Sequence, residues 1–204
     1  MDNNQDIIID LLRHGEVEGG PCFRGKTDDP LTTEGWQNMA NVLDQTNHWQ
    51  AVMSSPLKRC YEFAQHFAKK HSLSCQFDDR FSEMNFGDWD GVEVSEFSEI
   101  QKAQLKRFWN EPANNPPPNG ESMTEFQERV KNAWIQLILQ TDHQHILLIT
   151  HAGTIRMILS LILQIPFNVI NRIEIPYASM SRIRVSKDED DRIYPSIIFH
   201  GKPC

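Results

Sequence analysis

The stretch ILLITHAGTIRMILSLILQI, residues 146–165, is the longest apolar run of the chain. A membrane-crossing helix needs roughly 20 nearly uninterrupted apolar residues. Here His151, Arg156 and Gln164 interrupt the run, and Gly153 breaks its middle. The pattern predicts a buried strand over residues 146–150, a polar turn, and a buried helix over 154–163. Working outward, the same form recurs. Residues 7–12 are a short apolar run ending at Arg13-His14-Gly15-Glu16. Residues 51–54 read as a second strand ending at Ser55-Pro56-Leu57-Lys58-Arg59.

The remaining segments fit around these three. Thr32 or Thr33 can cap a helix running to about Gln45, with Trp36, Met39, Ala40 and Leu43 on one face. Pro56 suits the first turn of the next helix, whose apolar face is Leu57, Tyr61, Ala64, Phe67 and Ala68. Residues 74–77 read as a third strand, and 80–91 as a structured loop. A polar helix over about 95–109 and the Pro-rich turn 116–120 follow. Ser122 starts a strongly amphipathic helix with Met123, Phe126, Val130, Trp134, Leu137 and Ile138 at helical spacing. The tail has strand-like runs at 182–186 and 196–199 around the acidic turn 188–191. Alternating strands and helices predict an α/β three-layer fold: a mostly parallel sheet flanked by helices on both faces. The chain is expected to form one domain over 1–204, with a helical insertion at about 92–119.

With 204 residues, 39% of them hydrophobic, there is apolar material for a real core. The formal net charge of -8 should repel nucleic acid and anionic membranes, so neither is an expected partner. An anionic substrate would need a local basic pocket against that field. The polar, acidic start shows no export signal, and Cys22, Cys60, Cys75 and Cys204 form no CxxC pair. Reduced thiols and a cytoplasmic setting are the expectation.

In an open α/β sheet, ligands sit at the carboxyl ends of the strands. If the three strands lie side by side, His14, His151, Arg13 and Arg59 converge at one rim, with Gly15 letting backbone approach a ligand. Guanidinium forks match phosphate oxygens, and a helix starting after Gly153 would add its positive end. The simplest occupant is a phosphoryl group. Zinc between His14 and His151 is the rival. It lacks an obvious third ligand, and flanking arginines oppose a cation, so neither metal nor cofactor is expected. His143 and His145 read as surface residues of a polar turn. For the leaving oxygen, Glu83 is the candidate proton donor, with Met84, Phe86 and Trp89 expected to desolvate it. Glu16 is its rival, read as a pocket-organising carboxylate. Arg24, Trp89, Phe108 and Trp109 are candidates for substrate contact or, equally, for packing.

The ordered set Arg13-His14-Gly15-Glu16, Leu31-Thr32 with Gly35, Ser54-Ser55-Pro56-Leu57 with Arg59, Glu83 with Phe86-Gly87 and Trp89, Gly120-Glu121-Ser122, and Thr150-His151-Ala152-Gly153 resembles the histidine phosphatase (phosphoglycerate-mutase-like) superfamily. The resemblance implies that His14 is the nucleophile. It implies that Arg13, Arg59 and His151 hold the phosphoryl oxygens, and that Glu83 is general acid and then base. An imidazole needs no metal to attack phosphorus. Within the superfamily, residues 22–32 and 82–89 look like those of α-ribazole phosphatases. Such a resemblance implies removal of a 5′-phosphate from a benzimidazole nucleotide or its cobamide in cobalamin synthesis. One departure stands out: many members place an Asn phosphate contact where this chain has Val17-Glu18-Gly19-Gly20.

The expected substrate is therefore a small-molecule phosphate monoester. A sugar phosphatase or phosphoglycerate mutase is the alternative, although the insertion balances Lys102, Lys106 and Arg107 with carboxylates. A non-enzymatic phospholigand-binding module is a third reading, set against the presence of all five core residues.

Overall fold

The structure, a computed structural model, describes residues 6–44, 48–188, 190 and 192–202. Residues 1–5, the expected helix end at Gln45, Glu189 and Asp191 of the acidic turn, and Cys204 lie outside the described residues.

Six strands form one sheet: β1 (Ile7–Arg13), β2 (Ala51–Ser54), β3 (Ser74–Phe77), β4 (His145–Thr150), β5 (Met180–Lys187) and β6 (Ile193–Lys202), in the order β3-β2-β4-β1-β5-β6. The four strands β3, β2, β4 and β1 are parallel, whereas β5 and β6 form an antiparallel hairpin added beside β1. The mostly parallel three-layer expectation holds, with the tail supplying the antiparallel part.

Period-2 alternation sorts the central strands between two cores. Ile7, Ile9 and Leu11 of β1 and Leu148 of β4 pack with Val130, Trp134 and Ile155. Leu12, Leu147 and Ile149 turn the other way, onto Met39, Leu43, Phe63 and Phe67. Helices α1 (Thr33–Asp44) and α2 (Lys58–His71) therefore cover one face. Helices α4 (Met123–Gln140) and α5 (Ala152–Leu163) cover the other, with Phe108 of α3 (Glu99–Asn110) added to that core.

Caps decide where the helices start. Thr32 is the cap of α1, since its Oγ1 accepts the Gly35 N–H at 2.8 Å. Ser122 and Glu125 form a capping box on α4. A second box, Ser98 with Gln101, moves the start of α3 from the expected 95 to Glu99 and leaves Val94–Glu96 as a separate 3-10 turn. Pro56 stays outside α2, which begins at Lys58, and α5 begins at Ala152, earlier than its apolar run suggested. Among the described residues no helix is long and apolar enough to cross a membrane.

Candidate active site

Register brings the loaded strand ends together. Arg13 of β1 pairs with Thr150 of β4, and Ser54 of β2 with Ile149. The next residues continue the ladder: the His14 N–H bonds Thr150 O at 3.0 Å and the Ser55 N–H bonds Ile149 O at 3.0 Å. The two imidazoles meet edge to face with ring centroids 5.2 Å apart. On the α1 side, Gly15 and Gly35 let two backbones touch, because a Cβ on either would collide with the other segment's carbonyl.

His14 is 6% exposed. Its Nδ1 lies 2.8 Å from Gly15 O. A carbonyl only accepts, so the proton belongs on Nδ1 and the lone pair on Nε2. Burial, followed by the charges of Arg59 and Arg13, holds its pKa well below the ordinary imidazole value. That shift favours the neutral ring at neutral pH.

His151 is fully buried. Its Nδ1 accepts from Arg59 Nε at 3.2 Å, so its proton sits on Nε2, 2.7 Å from Ser55 Oγ. Burial, then Arg59 and His14, also holds this ring well below its ordinary pKa. Arg59, fully buried, donates to Thr27 O at 2.8 Å and, through Nη2, to Arg24 O at 2.9 Å and Gly25 O at 3.3 Å. Asp90 in turn holds that loop, taking the N–H groups of Gly25, Lys26 and Thr27. Arg13 donates Nη1 to Ile175 O at 2.5 Å and lies 3.7 Å over the Tyr177 ring, while its enclosed Nε has no hydrogen-bond partner among the described residues.

Glu83 stands at the N-terminus of α5. Its Oε2 accepts the Gly153 N–H at 2.9 Å and its Oε1 the Met84 N–H at 2.9 Å. One N–H of the first turn of α5, that of Gly153, thus serves the Glu83 carboxylate. This contact also explains Gly153, where a Cβ would run into the Glu83 carboxylate. Met84 and Trp89, expected around this carboxyl, belong to the hydrophobic core.

A model of the histidine phosphatase superfamily (branch 1) matches residues 9–192. The chain belongs to this superfamily. A bifunctional protein of Mycobacterium tuberculosis is 32% identical over 176 residues, 84% of this chain but 48% of that protein. The chain thus spans about half the length of that relative. A protein named putative phosphoserine phosphatase 2, from Hydrogenobacter thermophilus, is 26% identical over 197 residues, 94% of this chain and 96% of that one. The α-ribazole phosphatase of Shigella flexneri shares the fold, with a TM-score of 0.81 at 21% identity over 96% of each chain.

Other residues of this superfamily member stand differently from expectation. Arg24, expected at the substrate, pairs with Asp29 at 2.7 Å and donates to Glu18 O at 2.8 Å. Its backbone carbonyl serves Arg59, and its charge still bears on His14. The Glu16 side chain is exposed, and its backbone carbonyl is what receives the Thr32 N–H at 2.9 Å. Trp89 and Phe108 are core residues, whereas Trp109 is 39% exposed. His145, read as a surface residue, bonds the fully buried Asp10 at 2.9 Å.

Three residues near the chemistry had no assigned part. Ser55 stood in a quoted motif, and its hydroxyl oxygen accepts the hydrogen bond of the His151 Nε2–H. Tyr177 and Arg156 gave no signal of spacing. Tyr177 comes from the connection before β5, and Arg156 is an interruption of an apolar helix that donates Nε to Ile173 O at 2.8 Å. Burial lowers the Arg156 pKa, against the raising charges of Glu83 and Glu174.

Proposed function

We propose that this chain is a phosphomonoesterase working without a metal, through a phosphohistidine on His14. The observation that carries the reading is the His14 ring: buried, with Nδ1 committed to Gly15 O, which leaves the lone pair on Nε2, and with its pKa held down by burial and by the charges of Arg59 and Arg13. The Nε2 lone pair attacks phosphorus while the bond to the leaving oxygen breaks. Glu83 gives that oxygen its proton. Water then attacks the phosphohistidine, Glu83 takes the water's proton, and the N–P bond breaks to release phosphate. Arg13 and the remaining Nη1 hydrogen of Arg59 meet the phosphoryl oxygens. His151 joins them by turning its Nε2–H from Ser55, whose hydroxyl is left to donate. Brief reaction with labelled substrate should leave an acid-labile, base-stable phosphoryl group on the wild type and none on His14→Ala. A labelled His14→Ala protein, or one that still turns over, refutes the mechanism.

Within that reading, an α-ribazole 5′-phosphate or its cobamide is the favoured substrate, with the cytoplasm as the compartment. Phe23, Phe86 and Trp109 support an aromatic base on the leaving alcohol. Phe23 lies 4.9 Å from Phe86 and 6.3 Å from Trp109, between the Arg24 loop and the acid's segment. Stacking on such a ring is worth ~1–3 kcal/mol per base. Arg156 favours a second reading, a small carboxylated phosphomonoester whose carboxylate would meet this guanidinium. A kinetic panel separates the two. Ribazole phosphate should exceed phosphoserine, 3-phosphoglycerate and sugar phosphates in kcat/KM. A win for a carboxylated substrate that disappears in Arg156→Met selects the second.

A further inference from the structure

Glu121 and Arg129 touch none of the groups that handle phosphate, yet the acid's segment hangs on them. Arg129 lies on α4, and a guanidinium has five N–H donors in a fixed fork. All of them are engaged. Nε donates to Glu121 Oε1 at 2.6 Å, and Nη2 to Glu121 Oε2 and Glu83 O, both at 2.9 Å. Nη1 donates to Arg80 O at 2.8 Å and Ser82 O at 2.9 Å. Glu121 Oε2 also takes the Asn85 N–H at 3.2 Å. One ion pair thus gathers three carbonyls and an amide on both sides of Glu83.

From the other side, the strand and helix that carry His151 hold the same segment. Thr150 Oγ1 donates to Phe81 O at 2.6 Å, and Thr154 Oγ1 to Ser82 O at 2.9 Å. The backbone of 80–85 is therefore fixed relative to the histidine rim before any substrate arrives. Since no N–H of Arg129 is left over, it cannot be a substrate ligand. Its charge bears on His151, and a lysine in its place would keep that charge while losing the fork.

We infer that Arg129, braced by Glu121, is a positioning residue for the Glu83 carboxyl, fixing the acid's reach to the leaving oxygen. The inference rests on the assignment of Glu83 as general acid. Lysine at this position has one compact ammonium that cannot span three carbonyls and a carboxylate. Displacing a catalytic group by an ångström can cost about 10²-fold. The experiment compares wild type, Arg129→Lys, Glu83→Gln and the double variant on an alkyl phosphate and on p-nitrophenyl phosphate. The alkoxide needs the acid's proton, and p-nitrophenolate hardly does. Arg129→Lys should lose roughly 10- to 100-fold on the alkyl phosphate and less than about threefold on the aryl one. Added to Glu83→Gln, it should cost little more on the alkyl phosphate, since both act through one group. Equal losses of Arg129→Lys on both substrates, or full additivity, overturn the inference while a selective Glu83→Gln leaves the acid assignment standing. Equal losses in Glu83→Gln overturn that assignment first. Should Arg129→Lys fail to fold, Glu121→Gln, which weakens the brace but keeps its shape, is read by the same criteria.

Discussion

Strand β1 carries two buried charged clusters, one around Asp10 and one around His14, and they are built on opposite plans. Asp10 is fully buried and fully matched. It accepts from Arg182 at 2.8 and 2.9 Å, from His145 Nε2 at 2.9 Å and from Trp49 Nε1 at 2.9 Å. At the rim, Arg13 and Arg59 lie beside two neutral imidazoles, and among the described residues neither guanidinium is paired with a carboxylate. Carbonyls, a histidine nitrogen and the Tyr177 face hold them instead. The first cluster cancels its charge internally and serves the fold. The second has no carboxylate paired to its guanidiniums among the described residues, which in the proposed mechanism leaves them to meet a phosphate dianion.

The sharpest way to break this contrast is to damage one cluster at a time. His14→Ala should lower turnover by at least ~10⁴-fold, as loss of a nucleophile that acts as part of a unit does. Asp10→Asn should do the reverse. Breaking a buried ion pair costs about 3–5 kcal/mol, reduced here because Arg182 reaches solvent, so roughly 2–4 kcal/mol is expected. Its kcat/KM, measured where the variant is still folded, should stay near wild type. Urea unfolding and steady-state kinetics on both variants check the pair. An Asp10→Asn protein of normal stability but poor activity would mean that the two clusters are not separate.

Acid should separate them by pH. Burial pushes the Asp10 carboxyl up, but hydrogen bonds from Arg182 and His145 outweigh it and hold the group below its ordinary value. Its contribution is fully present above the unfolded value, about 3.9, and is lost as pH falls from there through the folded value. His14 and His151 are also depressed. Below about pH 6.5 the unfolded chain takes up protons that the folded rings refuse, so stability falls as pH drops toward their folded values. Unfolding free energy should therefore decline in two stages, one beginning near pH 6.5 and one near pH 4. His14→Ala should shrink the first stage and Asp10→Asn the second. A wild type of unchanged stability between about pH 7 and pH 5 would contradict the depressed histidines.

The same contrast explains what the sequence made legible. The rim could be read because its residues follow apolar strands whose ends the register then aligned. The Asp10 cluster could not, since its partners come from β4, β5 and the segment before β2, and a single Asp within a hydrophobic run has no periodic signal. His145 looked like a turn residue because nothing local shows that it opens a strand beside β1. Arg24 looked like a ligand because its motif neighbours bear on the site. Its own side chain was spoken for by Asp29, five positions later, which composition alone does not reveal. Trp89 and Phe108 were ambiguous by type, and only their burial assigned them to the core.

The smallest expected effect is none at all, under chelation. A metal-dependent phosphatase uses its ion to polarise the phosphoryl group and to balance charge that develops in the transition state. Here Arg13 and Arg59 already supply fixed positive charge in a buried rim, where it needs no reorganisation as the reaction proceeds. In the proposed mechanism the nucleophile is the His14 imidazole, whose pKa burial holds down, so no ion is needed to generate one. Turnover of p-nitrophenyl phosphate should therefore be the same before and after extended dialysis against EDTA, and the same again on adding back magnesium, zinc or manganese. Because the prediction depends on the rim's charge being uncancelled, Arg13→Met should remain as insensitive to EDTA as the wild type while losing turnover. Activity lost on chelation and restored by one divalent ion would show that the arginines do not suffice, and would end the separation between a cluster that cancels its charge and one that offers it.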